Sequence, residues 1–109
     1  RRAGLTPHAR ALRGALAAAA GDPHEAVDEL TRAIDAGLTH PDLRGWRGVA
    51  RAAEGLGTWY VAREVVTDLE ATAASRRLRP REEAALAEAR AVLVRAGQLE
   101  APDQGGAPR

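Results

Sequence analysis

The chain has 109 residues, with 16 basic side chains, all Arg, against 15 Asp and Glu, and it contains no Cys, Met or Phe. That length supports one compact core and not two. The even charge balance excludes a bulk polyanion binder, and no apolar run approaches the ~20 residues that cross a bilayer. Without Cys there is no disulfide framework, thiolate metal site or Cys nucleophile, and a reducing cytoplasmic setting is expected. Arg1 and Arg2 have no apolar segment behind them, so this start does not read as a signal peptide. Arg1 where an initiator Met would stand reads as an excised or processed piece.

Composition favours helices. Ala, Leu, Arg and Glu dominate, whereas the β-branched and aromatic residues that strands need are scarce. Thr6-Pro7 marks a helix start, with Thr as the cap and Pro in the first turn, followed by Leu12, Leu16, Ala19 and Ala20. Gly21-Asp22-Pro23 ends that helix and begins a second, whose stripe is Ala26, Val27, Leu30, Ala33 and Ile34; Gly37 stops it. After the turn Thr39-His40-Pro41-Asp42, a third stripe runs through Leu43, Trp46, Val49, Ala50, Ala53 and Leu56. Gly57-Thr58 breaks it, and Trp59, Ala62, Val65, Val66 and Leu69 form the fourth. A basic connection from Ser75 to Arg79 ends at Pro80, and Leu86, Ala89, Val92, Leu93 and Ala96 form the fifth, stopped by Gly97. Trp46, Trp59, Tyr60 and the Leu and Val residues are expected to carry most of the core. The expectation is an all-α chain of five helices with short turns and hence antiparallel neighbours. Residues 1–6 form an extension, 7–97 the helical domain, and 98–109, rich in Pro and Gly, a disordered tail.

The hairpins repeat. The interval from Gly21 to Gly57 is the same as that from Ala26 to Ala62 and from Leu30 to Val66. A helix–turn–helix unit of about 34 residues is a mark of tetratricopeptide (TPR) repeats. The second unit reads Trp46, two residues, Val49-Ala50, two residues, Ala53, then the turn at Gly57, Ala62 and Val66. The first keeps Gly14, the turn Gly21-Asp22, Ala26, Leu30 and Ala33. The third keeps Leu86, Ala89, Leu93 and Gly97 and then stops, with Pro102 where a further helix would need a small residue. Residues 7–97 therefore resemble about two and a half TPR units. The resemblance implies a stacked array in which Gly14 and Ala50 allow close helix approach and the fifth helix covers the fourth. Departures are Ala17, Ala53 and Leu93 at the family's tyrosine position, Arg90 at a small position, and the lack of a closing Pro.

Catalytic chemistry finds little purchase. His8, His24 and His40 fall at a helix start and in turns, so they read as exposed turn residues rather than metal ligands. Gly55-Leu56-Gly57 follows no strand and reads as a helix stop rather than a phosphate loop. Glu82 and Glu83 suit the positive end of a helix dipole, and Glu88 reads as a solvated side chain. Ser75 is the one serine, with no general base at a fixed spacing. No enzyme, metal or cofactor is expected.

The strongest functional feature is the row Arg44, Arg47 and Arg51, at i, i+3 and i+7. The TPR resemblance implies that first helices line a concave groove. On that basis the three arginines would face it, between Ala-rich walls (His8, Ala11, Ala15 and Ala18; Ala84, Ala87, Ala91 and Val94), and would bind an acidic peptide or partner domain. The competing reading is a solvated face paired to Glu54. Arg76, Arg77, Arg79 and Arg81 form a second basic run, but no aromatic is interleaved to stack a base, so nucleic acid is not the expected partner. The sequence thus points to a non-catalytic interaction module or scaffold. Its alternatives are a regulatory, docking or dimerisation domain of a larger enzyme or transcription regulator, and a spacer whose Ala-rich faces self-associate. The Ala, Arg and Gly bias points to a GC-rich bacterial genome.

Overall fold

A computed structural model describes residues 5–99. These form five helices: α1 (Pro7–Ala19), α2 (Pro23–Asp35), α3 (Leu43–Glu54), α4 (Trp59–Ser75) and α5 (Pro80–Arg95). The chain is all-α over this span, as its composition implies. The expected tail from residue 100 onward, and the first four residues of the expected extension, lie outside the described residues.

Local chemistry sets the ends. The Thr6 hydroxyl accepts from the Ala9 amide at 3.1 Å, and the Asp22 carboxylate from the Glu25 amide at 3.2 Å. Each cap satisfies an amide that the first helical turn leaves without a partner. Thr58, by contrast, makes no side-chain cap bond to α4. The stop after α3 is Gly55, at φ 134°, earlier than the expected break at Gly57.

Consecutive helices pack as antiparallel neighbours in a stacked array. In addition α1 touches α3 and α3 touches α5, while α2 and α4 make no close backbone approach. One side of the stack is therefore shared by α1, α3 and α5. On the other side α2 and α4 flank a gap. The apolar core divides in two. Ala11, Leu30, Ala33 and Leu43 form one cluster, against which Ile34, Leu38 and Trp46 pack. Ala62, Val65, Leu69, Ala85, Leu86, Ala89 and Leu93 form the other.

Glycine fixes the close crossings. A Cβ on Gly14 would lie 2.7 Å from Leu30 Cγ, and one on Gly48 would lie 2.9 Å from Leu69 Cγ. Both are well inside van der Waals contact, so only Gly fits without movement. Gly48, not Ala50, is thus the counterpart of Gly14. The first helices therefore repeat at a shorter interval than the turn glycines Gly21 and Gly57 do, by the two positions that separate Gly48 from Ala50. Two positions of helix are a rotation of ~200°, so the corrected offset turns α3 almost back to front. The second helices shift differently. Leu69 lies deeper in α4 than Leu30 lies in α2, by about one helical turn, so α4 carries an extra turn at its start. That extra turn holds Trp59 and Tyr60. They are 40% and 59% exposed and do not carry the core, contrary to expectation. Trp46 is half-buried, with its ring stacked on His40 at 6.2 Å between centroids.

Candidate interaction groove between α3 and α4

The two hairpins share one electrostatic device. In each, arginines of the first helix, two in the first hairpin and three in the second, reach a buried carboxylate on the second helix. That carboxylate immediately precedes the leucine that meets the glycine. In the first hairpin Arg10 Nη1 donates to Glu29 Oε1 at 3.0 Å, and Arg13 Nε lies 3.6 Å from Glu29 Oε2. In the second the carboxylate is Asp68, 1% exposed. Arg47 grips it with two bonds, Nε to Oδ2 at 2.8 Å and Nη2 to Oδ1 at 2.7 Å. Such fork-to-fork pairing is the strongest geometry open to a guanidinium and a carboxylate. Arg44, the counterpart of Arg10, places its Nη1 3.8 Å from Oδ1, and Arg51 Nη1 adds a bond to Oδ2 at 3.2 Å.

All three expected site residues are therefore brought together, but not where the resemblance implied. Arg47 also donates to Thr31 Oγ1 of α2, at 3.4 Å. It spans the gap between α2 and α4, so the arginine row lies on the side away from α1 and α5. The side shared by α1, α3 and α5 is a furrow of about 560 Å³ walled by Ala18, Val49, Ala53, Ala84 and Glu88, with Arg81 at its rim. Of the expected groove walls only Ala18 and Ala84 line this furrow, and His8, Ala11 and Ala15 border a different cleft. The arginines expected between the walls do not line it, because α3 is rotated by the corrected offset. Nor is the row a solvated face paired to Glu54; that carboxylate bonds His24 at 3.0 Å instead.

The three arginines now have distinct roles. Arg47 is buried, and its bonds to Asp68 raise its pKa further above the ordinary arginine value despite the opposing effect of burial. It is committed to the fold. Arg51 is mostly buried, between Asp68 and Glu64. Arg44 is about half exposed, its side chain at 47%, and makes only the long contact to Asp68.

Arg44 and Arg51 line an open groove of about 580 Å³ whose far wall is α4, through Trp59, Tyr60, Arg63 and Glu64. Arg63 lies over the Trp59 ring at 5.4 Å, a cation–π contact, and donates to Gln98 at 3.2 Å. Trp59 and Tyr60 meet edge to face at 5.7 Å. The groove thus has four arginines, Arg44, Arg47, Arg51 and Arg63, against two carboxylates, with two exposed aromatic rings at one end. Arg44 also borders the next hollow along α4, lined by Ile34, Pro41, Thr72 and Ser75.

The second basic run is also put to structural use. Arg76 Nε donates to Asp42 at 2.7 Å, and its Nη1 and Nη2 donate to Glu82 at 2.9 and 2.7 Å. Glu82 in turn accepts from the Arg79 amide at 2.8 Å. Glu82, expected only as a favourable helix-end charge, is buried against Gly45, where a Cβ would strike its carboxylate. The Arg76 guanidinium and the Arg79 amide hold the Glu82 pKa below the usual carboxylate value, outweighing desolvation. Arg77 and Arg81 remain exposed.

The histidines divide. His8 and His40 border the same cleft beside Leu12 and Trp46. His24 is exposed, and Glu54 raises its pKa. Among the described residues one carboxylate group, Glu25, Asp28 and Glu29, has ligand atoms close enough to share a cation. Each of the three is engaged by an arginine, Arg13, Arg32 and Arg10 respectively. No helix of the described residues is long and apolar enough to cross a membrane.

No protein-family model matches the chain, and searches of the curated proteins and of the solved structures find no match.

Proposed function

We propose that the chain is a non-catalytic protein-interaction module, TPR-like and cytoplasmic, of bacterial origin. In this reading it binds an acidic segment of a partner along the groove between α3 and α4, not on the face shared by α1, α3 and α5. Arg44 and Arg63 contact the partner's carboxylates, Trp59 and Tyr60 receive an apolar or aromatic side chain, and Arg51 supports Arg44 from beneath. Arg47 acts only by holding the groove's floor.

One observation carries the reading. Trp and Tyr together occur only three times in the chain. Two of them, Trp59 and Tyr60, are exposed on the added first turn of α4, beside arginines that internal carboxylates do not saturate. Exposed aromatic and Arg side chains in one concavity are the composition of an interaction hot spot. Glu64 within the groove disfavours a polyphosphate chain, which supports a peptide over nucleic acid.

The test is fluorescence anisotropy with a labelled Asp/Glu-rich peptide bearing one Trp or Phe. Binding should weaken steeply with added salt, since the contacts are exposed and screened over ~8 Å. It should be lost in Arg44→Glu/Arg63→Glu and weakened in Trp59→Ala, with helicity retained. Indifference of the peptide to these variants, or preferential binding of a single-stranded oligonucleotide, would overturn the reading.

A further inference from the structure

We propose that the outer face of α1 docks a second kind of partner element, an acidic amphipathic helix from another protein. Leu5, Leu12 and Leu16 are 40%, 62% and 60% exposed, three of the six large hydrophobic residues exposed among the described ones. At ~100° per residue Leu12 and Leu16, one turn apart on α1, share a sector only ~40° wide, opposite Gly14 and therefore opposite α2, while Leu5 lies just before the helix. Scattered exposed leucines need no explanation, but a stripe of them does.

The repeat indicates what kind of element fits. At the offset that carries Gly14 onto Gly48, Leu12 corresponds to Trp46 and Leu16 to Ala50. On α3 neither position is left open as on α1. Trp46 packs against the cluster of Ala11, Leu30 and Ala33, and Ala50 is 3% exposed. The stripe on α1 is thus the counterpart of a face that is packed elsewhere in the same molecule.

Charge specifies its chemistry. From Pro7 to Ala19, α1 carries Arg10, Arg13 and His8 and no acidic residue. The helix that covers its inner side, α2, has the complementary design: an apolar stripe of Ala26, Leu30 and Ala33, with Glu25 and Glu29 meeting Arg13 and Arg10. Arg13 also borders the outer stripe. Its side chain is 55% exposed and its contacts to Glu25 and Glu29 are long, 3.5 and 3.6 Å. On the stripe's other edge lies a cleft of about 440 Å³ lined by Leu12, Ala15, Leu38, Leu43 and Trp46, where one large apolar side chain can anchor. A second copy of α1 would bring arginine against arginine, so the occupant is an acidic helix of a different chain.

The experiment uses the whole chain and two designed helical peptides with the same leucine stripe, one flanked by Glu and the other by Lys. The Glu peptide should bind and the Lys peptide should not. Leu12→Gln/Leu16→Gln should weaken the Glu peptide at least ~10-fold without loss of helicity, since both residues are exposed. Arg44→Glu/Arg63→Glu should leave it unchanged, which separates this surface from the α3–α4 groove. Equal binding of the two peptides, binding of neither, or indifference to the leucine variant would overturn the proposal. So would a wild-type dimer that the leucine variant dissolves.

Discussion

Arg47 and Asp68, brought together from α3 and α4, close a bidentate ion pair at 2.7 and 2.8 Å in the gap between α2 and α4. Both are buried, and Thr31 takes a third donor of the guanidinium. Deleting one partner strands the other charge away from water, which typically costs about 3 to 5 kcal/mol. Asp68→Ala should therefore be among the most destabilising single changes in the chain. Arg47→Met/Asp68→Leu should recover most of the loss, because a well-packed apolar pair is often as stable as a buried ion pair. Urea unfolding of the two singles and the double, analysed as a cycle, measures this directly.

Gly48→Ala and Gly57→Ala should differ in sign. The first pushes a methyl toward Leu69, and overpacking of this kind costs about 1 to 3 kcal/mol, more than the ~1 kcal/mol of helix propensity that Ala returns. At Gly57 nothing lies within 4 Å and φ is not positive. There Ala should be neutral or stabilise by up to about 1 kcal/mol, through the unfolded chain. Thermal melts of the two variants decide the matter.

Acid should weaken the junction between α4 and α5. The folded-state pKa of Glu82 lies below its ordinary value of 4.5, first because of its bonds to Arg76. Its contribution is therefore fully present above that ordinary value and is lost as pH falls through the depressed folded value. Wild-type stability should decline on this acid limb, and Glu82→Gln should flatten it while lowering stability at neutral pH by about 1 to 3 kcal/mol. Unfolding free energies across the acid range, compared between the two proteins, provide the check.

Truncation after Ser75 removes α5 and bares Ala62, Val65 and Leu69, each 0% exposed in the intact fold. A stacked array needs a terminal cover. The shortened chain should melt earlier and less cooperatively, and it should associate at concentrations where the full chain remains dispersed, as read by calorimetry and light scattering.

Much of this architecture is legible in the sequence. Thr6-Pro7 and Asp22-Pro23 announce helix starts because cap chemistry is local, and the stripes through Leu30, Leu69 and Leu93 identify core faces by periodicity alone. The orientation of α3 is not legible in the same way. The eye aligns hairpins by their turns, Gly21 on Gly57, whereas helix packing follows the crossing glycines, Gly14 on Gly48, and the two alignments disagree. A signal is available all the same: Arg10, Arg13 and Gly14 recur as Arg44, Arg47 and Gly48, and Glu29-Leu30 recurs as Asp68-Leu69. Trp59 and Tyr60 resemble core residues because large apolar rings usually go there. Nothing local reveals that α4 begins one turn too early for them to reach it. The engagement of Arg76 by Asp42, far back in the chain on the other side of α3 and α4, is equally invisible without the fold.

The division of the core at α3 predicts that the two ends of the molecule open separately. Backbone amides in α1 and α2 report on the cluster around Leu30, those in α4 and α5 on the cluster around Leu69, and α3 hinges the two. Hydrogen exchange should sort the amides into two cooperative groups with separate opening energies. A guest in the α3–α4 groove would slow exchange chiefly in the second group, one on the outer face of α1 chiefly in the first. Exchange protection would thus tell which half of the chain a bound partner contacts.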